Sequence, residues 1–255
     1  MSPRVIVDDV GGVRVLTMNR PDARNALDGA LISALYEALV AADAQPGVRA
    51  VVLTGTDPAF CAGIDLKEAA RDGEAYFEKH RAQPCIPQVA RMATPVIGAI
   101  NGATFTGGLE LALGCDVLIA SERAVFADTH ARVGVLPGGG LTARLPLLVG
   151  PMWARRLSYT GEVIDAGLAL RIGLVSELVA HEGLLDRAIE LATSVAEVPA
   201  ETMRALKNIY VSGAAGTIDA ALAAERAAAA EHRPDLARLE QRRAAVTARN
   251  RRQVR

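Results

Sequence analysis

Pro95-Val96-Ile97-Gly98-Ala99-Ile100-Asn101-Gly102-Ala103-Thr104-Phe105-Thr106-Gly107-Gly108-Leu109-Glu110-Leu111-Ala112-Leu113 is the stretch on which the fold turns. Val96 to Ile100 is short and apolar, the pattern of a strand. Asn101 to Gly108 carries three glycines and reads as a loop. Leu109 to Leu113 is apolar apart from Glu110 and reads as the start of a buried helix. Val117 to Ala120 and Ala124 to Ala127 then read as two further short strands.

The same alternation appears upstream. Val13 to Met18 is apolar and rich in β-branched residues, and the turn Asn19-Arg20-Pro21-Asp22 follows it. Asp28 stands as an N-cap before the helical stripe Leu31, Leu35, Leu39. Gln45-Pro46-Gly47 ends that helix, and Val48 to Leu53 reads as a buried strand of the parallel kind. Phe60 to Leu66 lies between this strand and a charge-rich helix, and Pro84, Pro87 and Pro95 bracket a short helical stretch. Downstream, Pro137-Gly138-Gly139-Gly140 is the sharpest loop signal in the chain, and the pattern after it is helical almost to the end. The expected architecture is an α/β core of repeated strand–strand–helix units over residues 1–195. A helical part over residues 196–255 would cover that core or a neighbouring subunit. Its tail carries Arg242, Arg243, Arg249, Arg251, Arg252 and Arg255, either as a solvated helix end in an oligomer or as an arm that contacts phosphate.

The chain has 255 residues, 51% of them hydrophobic, enough to bury a sizeable core. A net charge of −1 gives no general drive toward nucleic acid or an anionic membrane. Cys61, Cys85 and Cys115 are widely spaced and form no CxxC, which argues against a disulfide framework. The opening MSPRVIVDDV lacks the basic and apolar regions of a signal peptide, and no apolar stretch reaches membrane-spanning length without a charge. The expected location is the cytoplasm, with no nucleic-acid partner and no membrane insertion.

Two turns follow apolar strands and precede helices: Ala62-Gly63-Ile64 and Thr106-Gly107-Gly108. A helix start presents backbone N–H groups with no intrahelical acceptor, so each turn can receive an anion. If the turns face one another, their N–H groups converge on one carbonyl oxygen and stabilise an enolate or tetrahedral oxyanion. The competing reading is that these glycines only make tight turns. No GxGxxG, GKS or GKT is present, so neither a dinucleotide fingerprint nor a P-loop is indicated.

Glu110 follows the second turn inside an apolar run, where a carboxylate is costly unless paired or hydrogen-bonded. Burial raises a carboxyl pKa, which suits a general acid or base. The alternative is a glutamate bonded only to backbone amides. His130, within Phe126-Ala127-Asp128-Thr129-His130-Ala131-Arg132, is the second candidate, because imidazole exchanges protons near neutral pH. A structural role competes for it, and Asp128 either orients it or caps a helix. His80, His181 and His232 lie among charged residues and are expected at the surface. No HExxH, Cys/His cluster or GxSxG is present, so neither a metal site nor a serine nucleophile is expected.

On these residues the chain resembles the enoyl-CoA hydratase/isomerase (crotonase) family. The matching stretches are Asn19-Arg20-Pro21 with Arg24-Asn25-Ala26-Leu27, Ala59 to Leu66, Pro95 to Gly102, and Gly107 to Ala112 with Cys115-Asp116. They continue with Gly134 to Gly140, Thr160-Gly161, Ala166-Gly167 and Gly173-Leu174-Val175. The resemblance implies a spiral of strand–strand–helix units, a helical C-terminal trimerisation part, and a homotrimer or dimer of trimers. It implies an acyl-CoA thioester substrate, with coenzyme A as part of the substrate and no separate cofactor. The oxyanion hole would be formed by the N–H groups of Ile64 and Gly107. Ala62 would line the adenine side of the coenzyme, Arg24 would lie near its phosphates, and Lys207 would reach its nucleotide end. Hydratases of the family flank a water molecule with two glutamates. Glu110 matches the first, and the second position, twenty residues on, is His130. Thr106 also departs from the three small residues many members carry there. Three activities therefore stay open: hydration of a trans-2-enoyl-CoA by Glu110 and His130, another crotonase reaction such as isomerisation or cleavage, and acyl-CoA binding with weak catalysis. The segment Glu68 to Gln88 is expected to line the acyl end.

Overall fold

Alternate side chains along the apolar runs feed two different cores, and that alternation builds the main sheet. The computed structural model describes residues 2–232, 235 and 238–253. Its strands are β1 (Val5–Val10), β2 (Val13–Met18), β3 (Ala50–Gly55), β4 (Ala59–Cys61), β5 (Val96–Ile100), β6 (Ala103–Phe105), β7 (Val117–Ser121), β8 (Val125–Ala127), β9 (Ile164–Asp165) and β10 (Glu177–Val179). The helices are α1 (Gly29–Ala44), α2 (Leu66–Asp72), α3 (Glu74–Ala82), α4 (Cys85–Arg91), α5 (Gly107–Gly114), α6 (His130–Val133), α7 (Leu141–Thr160), α8 (Ala166–Arg171), α9 (Leu184–Ala196), α10 (Ala200–Glu231) and α11 (Leu239–Gln253).

Val13, Val15, Ala50, Val52, Ile97, Ala99 and Ile119 face α9, where Leu184, Ala188 and Ala192 meet them. Leu16, Met18, Val51, Leu53, Val96, Ile100, Leu118 and Ala120 face the opposite way, into the larger core with Leu31, Leu35 and Leu39 of α1. A period of two along each strand produces this division. It leaves β3 and β5 buried along their whole length, as parallel central strands are.

The sheet order is β1-β2-β3-β5-β7-β10, and a second sheet runs β4-β6-β8-β9. β2, β3, β5, β7 and β10 are parallel, and so are β4, β6 and β8. Each unit thus gives one strand to each sheet and then a helix: β3-β4-α2, β5-β6-α5 and β7-β8-α6. This is the expected α/β spiral with a helical C-terminal region.

Four strands differ from the sequence reading. β1 pairs antiparallel with β2, although Asp8 and Asp9 interrupt its apolar pattern. It is an edge strand whose outer residues face solvent, so the charges cost little. The 101–108 loop contains β6, whose three residues are too few to show a period. The helical region after residue 140 is interrupted by β9 and β10, of two and three residues, for the same reason. Arg255 of the tail lies outside the described residues.

Asp28 caps α1 through a hydrogen bond that Leu31 N–H donates to Oδ1 at 2.7 Å. Its Oδ2 pairs with Arg4 at 2.8 Å and with Arg20 at 3.1 Å. Asp28→Ala is expected to destabilise the chain by about 1–2 kcal/mol, the size of a lost N-cap. Urea unfolding measures this, and an unchanged midpoint would show that the cap contributes nothing.

Candidate active site

The first turn is held by a short parallel bridge between Leu27 and Ile64. Leu27 N–H donates to Gly63 O at 2.8 Å, and Asp65 N–H donates to Leu27 O at 3.1 Å. With its neighbours paired, the Ile64 N–H points away from the bridge. Tyr76 reinforces the bridge from α3: its Oη donates to Leu27 O at 2.5 Å and accepts from Asp65 N–H at 3.2 Å. Gly63 has φ +94°, and a Cβ there would come within 2.9 Å of Phe105 O and 3.2 Å of Gly107 N. Only glycine allows the two turns to approach this closely. A Cβ on Gly107 would sit 3.6 Å from Ile64 N, so the two amides lie side by side. A Cβ on Gly108 would collide with Cys61 O, which is why α5 can start directly against β4. Among the described residues, neither the Ile64 nor the Gly107 N–H donates to a protein group.

Thr106 precedes the Gly107 amide. Its backbone has φ 55°, ψ −114°, outside the small left-handed region open to residues with a Cβ. Such a conformation costs on the order of 1–3 kcal/mol and persists only where the surroundings enforce it. Thr106 N–H donates to Ala127 O at 3.0 Å, Thr106 O accepts from Glu110 N–H at 3.0 Å, and its Oγ1 lies 2.6 Å from Thr129 Oγ1.

Glu110 is one turn into α5, only 3% exposed. Its Oε1 accepts from Gly139 N–H at 2.7 Å, so the glycine-rich loop read from the sequence holds the carboxylate. A Cβ on Gly139 would fall 2.9 Å from the Glu110 carboxyl, so the loop approaches only as glycine. The other oxygen, Oε2, is 3.6 Å from His130 Nε2. His130 Nδ1 bonds Asp128 Oδ1 at 2.7 Å. Asp128 both orients the ring and accepts the His130 backbone N–H at 3.1 Å, so the two roles weighed for it coexist. Burial pushes the imidazole pKa down, but the Glu110 and Asp128 carboxylates outweigh it and raise it to about 10. Asp128 is opposed by burial too, yet the hydrogen bond and charge of His130 hold its pKa below the usual carboxylate range. The result is a buried chain in which the His130 ring lies between the acidic side chains of Glu110 and Asp128.

A cleft of about 730 Å³ opens beside the two turns. Arg24, Ala62, Ile64, Thr106 and Thr129 line it. Glu110 and His130 do not; in sequence they lie one turn after Thr106 and one residue after Thr129. Arg20, Arg24, Lys67, Arg123, Arg243 and Arg251 outnumber Asp22 and Asp65 along it and make it basic, with Arg243 and Arg251 coming from α11. Arg24 is itself in the left-handed region, φ 53°, and its carbonyl accepts the Ala62 N–H at 3.0 Å. Lys207 is not brought to this cleft. Its Nζ is buried against Asp116 Oδ2 at 2.7 Å and Thr94 O at 3.1 Å, tying α10 to the start of β5.

The expectation that the other histidines lie at the surface is corrected: all three are partly buried. His181 bridges Asp57 at 3.0 Å and Ser121 at 2.9 Å, and His232 Nε2 lies 3.0 Å from Gly134 O. His80 packs its ring against Tyr76, with centroids 5.3 Å apart, and burial lowers its pKa to about 4 against the pull of Glu110. At His80 the neighbouring charges misled because on α3 they face out while the ring turns in. Glu225 of α10 was also missed. It is 6% exposed and accepts the Gly140 N–H at 2.7 Å and the Thr142 N–H at 2.8 Å, anchoring the loop that holds Glu110. Nothing in its alanine-rich surroundings distinguishes it from a solvent-facing glutamate.

The sequence profile of the enoyl-CoA hydratase/isomerase family matches residues 8–244. A protein of Rhizobium meliloti (strain 1021), named a probable enoyl-CoA hydratase, is 40% identical over 203 residues, 78% of this chain and 78% of its own. The crotonyl-CoA hydratase of Syntrophomonas wolfei is 35% identical over 224 residues, 87% of this chain and 86% of its own. The crystal structure of an enoyl-CoA hydratase from Mycobacterium smegmatis superposes with a TM-score of 0.81 at 48% identity, covering 90% of this chain and 98% of that one.

The raised pKa of His130 links stability to pH. A histidine whose pKa is higher folded than unfolded stabilises the fold fully below the unfolded value, near 6.5, and ceases to do so as pH rises through about 10. Melting temperature is therefore expected to fall more steeply between these limits in the wild-type protein than in His130→Gln. Parallel profiles would mean that His130 is not held as the cation.

Proposed function

Because the chain belongs to the enoyl-CoA hydratase/isomerase family and is an enzyme of that family, we propose that it adds water across the 2,3-double bond of trans-2-enoyl-CoA thioesters. The observation that carries this reading is the approach of Glu110 Oε2 to His130 Nε2, 3.6 Å, next to two unengaged turn amides. In the proposed reaction the thioester oxygen accepts hydrogen bonds from the Ile64 and Gly107 N–H groups. Glu110 takes a proton from water as its oxygen bonds C3, and the thioester becomes an enolate held by the two amides. His130 Nε2 then gives its proton to C2. Proton transfer from Glu110 to His130 restores both groups, so H and OH are added and nothing else is consumed. His130 thus does the work the resemblance assigns to a second glutamate.

Arg24, Ala62 and the α11 arginines would hold the coenzyme along the basic cleft, which favours the phosphate-contacting reading of the tail. Lys207, committed to Asp116, is left with a structural role in this reading. Residues 1–195 would form the catalytic core and 196–255 the cover and the oligomer contacts. Exposed apolar side chains on α7 and α10, including Met152, Tyr159, Ile209 and Tyr210, support a homotrimer or dimer of trimers. Fatty-acid metabolism in the cytoplasm is the setting proposed. Among the described residues no helix is long and apolar enough to cross a membrane.

Incubation with crotonyl-CoA and a long-chain 2-enoyl-CoA in ¹⁸O-water tests the reading. Labelled 3-hydroxyacyl-CoA is expected, with Glu110→Gln reducing kcat by roughly 10²-fold or more while still binding acyl-CoA. Double-bond isomerisation needs only one group to carry a proton between carbons, and unlabelled, shifted product would establish it instead.

A further inference from the structure

We propose that the Thr106–Thr129 hydroxyl pair is a positioning device that locks the oxyanion turn to the His130 loop. Both threonines commit their hydroxyls to this one contact. Thr106 adopts φ 55°, ψ −114°, a conformation that a β-branched residue avoids. Its two backbone hydrogen bonds, to Ala127 O and from Glu110 N–H, would be available to any residue in the turn. Only the 2.6 Å contact to Thr129 Oγ1 requires a side-chain hydroxyl. Thr129 is the N-cap of α6, where a threonine hydroxyl ordinarily accepts a first-turn amide. Here it makes no such cap bond; the hydroxyl meets Thr106 Oγ1, and Asp128 accepts the His130 amide that opens the helix.

Both residues are nearly fully buried, at 6% and 4% exposure, so water does not compete strongly for the pair. Gly107 follows Thr106 and His130 follows Thr129. The contact therefore spans the two departures from the family pattern and fixes the distance from the amide that receives the thioester oxygen to the imidazole. Thr106 O also holds the Glu110 amide, so one residue sets the hole, the carboxylate and the imidazole loop in register. The effect is on geometry: neither hydroxyl is given a proton-transfer role.

The inference rests on the acyl-CoA reading of the site, and its test separates the two. The carbonyl band of bound [1-¹³C]butyryl-CoA reports hydrogen bonding to the thioester oxygen without turnover. In the wild-type protein it is expected to shift to lower frequency than in free butyryl-CoA. Thr129→Val should move it back toward the free value and lower kcat for hydration roughly tenfold, with KM changed less than about twofold. Thr129→Ser, which restores a hydroxyl, should recover both. Thr106→Gly accepts the backbone conformation without strain, so it should lower kcat without lowering Tm, and Thr129→Val should add little to it. A lower Tm in Thr129→Val with unchanged kcat and band would make the pair merely structural and overturn the proposal. If Thr129→Val does not fold, Thr106→Gly decides: unchanged kcat and band overturn it. No band shift in the wild-type protein would instead remove the oxyanion reading, and this proposal with it.

Discussion

A carboxylate cannot be left alone in an apolar interior, and much of this structure is organised around meeting that demand at Glu110. An unpaired charge there would cost several kcal/mol. The Gly139 amide satisfies one oxygen, and His130 stands against the other. Each of these supports needs its own. The loop from Pro137 to Gly140 is not rigid by composition, so Glu225 reaches from α10 to bind Gly140 and Thr142. Burial lowers the pKa of the imidazole, and Asp128 joins Glu110 in opposing that effect. A single buried acid thereby recruits residues from α5, α6, the loop before α7, and α10.

The complementary constraint is close backbone approach. Two amides can address one oxygen only if their turns touch, which excludes side chains at Gly63 and Gly108. The same crowding forces Thr106 into a conformation it does not favour. The parallel spiral makes the meeting possible. Successive units place equivalent strand ends side by side, so the turn after β4 and the turn after β6 are neighbours although they are far apart in sequence. Local flexibility of glycine and the global repeat therefore serve the same geometry.

Much of this was legible in the sequence, for identifiable reasons. Long apolar runs such as Ala50 to Leu53 and Val96 to Ile100 have no stable place except a covered parallel sheet. Asp28 ahead of its leucine stripe announces a capped helix, and the cap is there. Glycine-rich turns before apolar helices marked where the chain could present free amides. What stayed hidden depends on partners distant in sequence. β6, β9 and β10 are too short to carry a period, and β1 is charged because it is an edge. Glu225 gains its role only from where α10 lands, and Lys207 is committed by Asp116, ninety-one positions earlier. The burial of His80 depends on which way its ring turns from a charged helix. Thr106 and Thr129 are ordinary threonines until the two loops meet.

The replacement of a second carboxylate by an imidazole is chemically coherent in the proposed reaction. Hydration needs a base for water and an acid for C2. Two neighbouring carboxylates achieve this by sharing a proton, since mutual repulsion keeps one of them protonated. A carboxylate beside an imidazolium reaches the same proton inventory by attraction. Glu110 and Asp128 hold His130 charged well above neutral pH, and His130 in turn favours the ionised form of Asp128. In the proposed reaction Glu110 serves as the base and His130 as the acid, and Asp128 fixes which ring nitrogen faces Glu110. The corresponding drawback is an acid with a raised pKa, which releases its proton less readily. The enolate at C2 must then be basic enough to take it, which places the burden on how well the Ile64 and Gly107 amides are aligned. Stabilising the enolate too strongly would make C2 a poorer base, and stabilising it too weakly would slow its formation. On this reading the imidazole makes the geometry of the oxyanion turn more critical than a second carboxyl group would, and a rigid link between the two loops is the feature such chemistry requires.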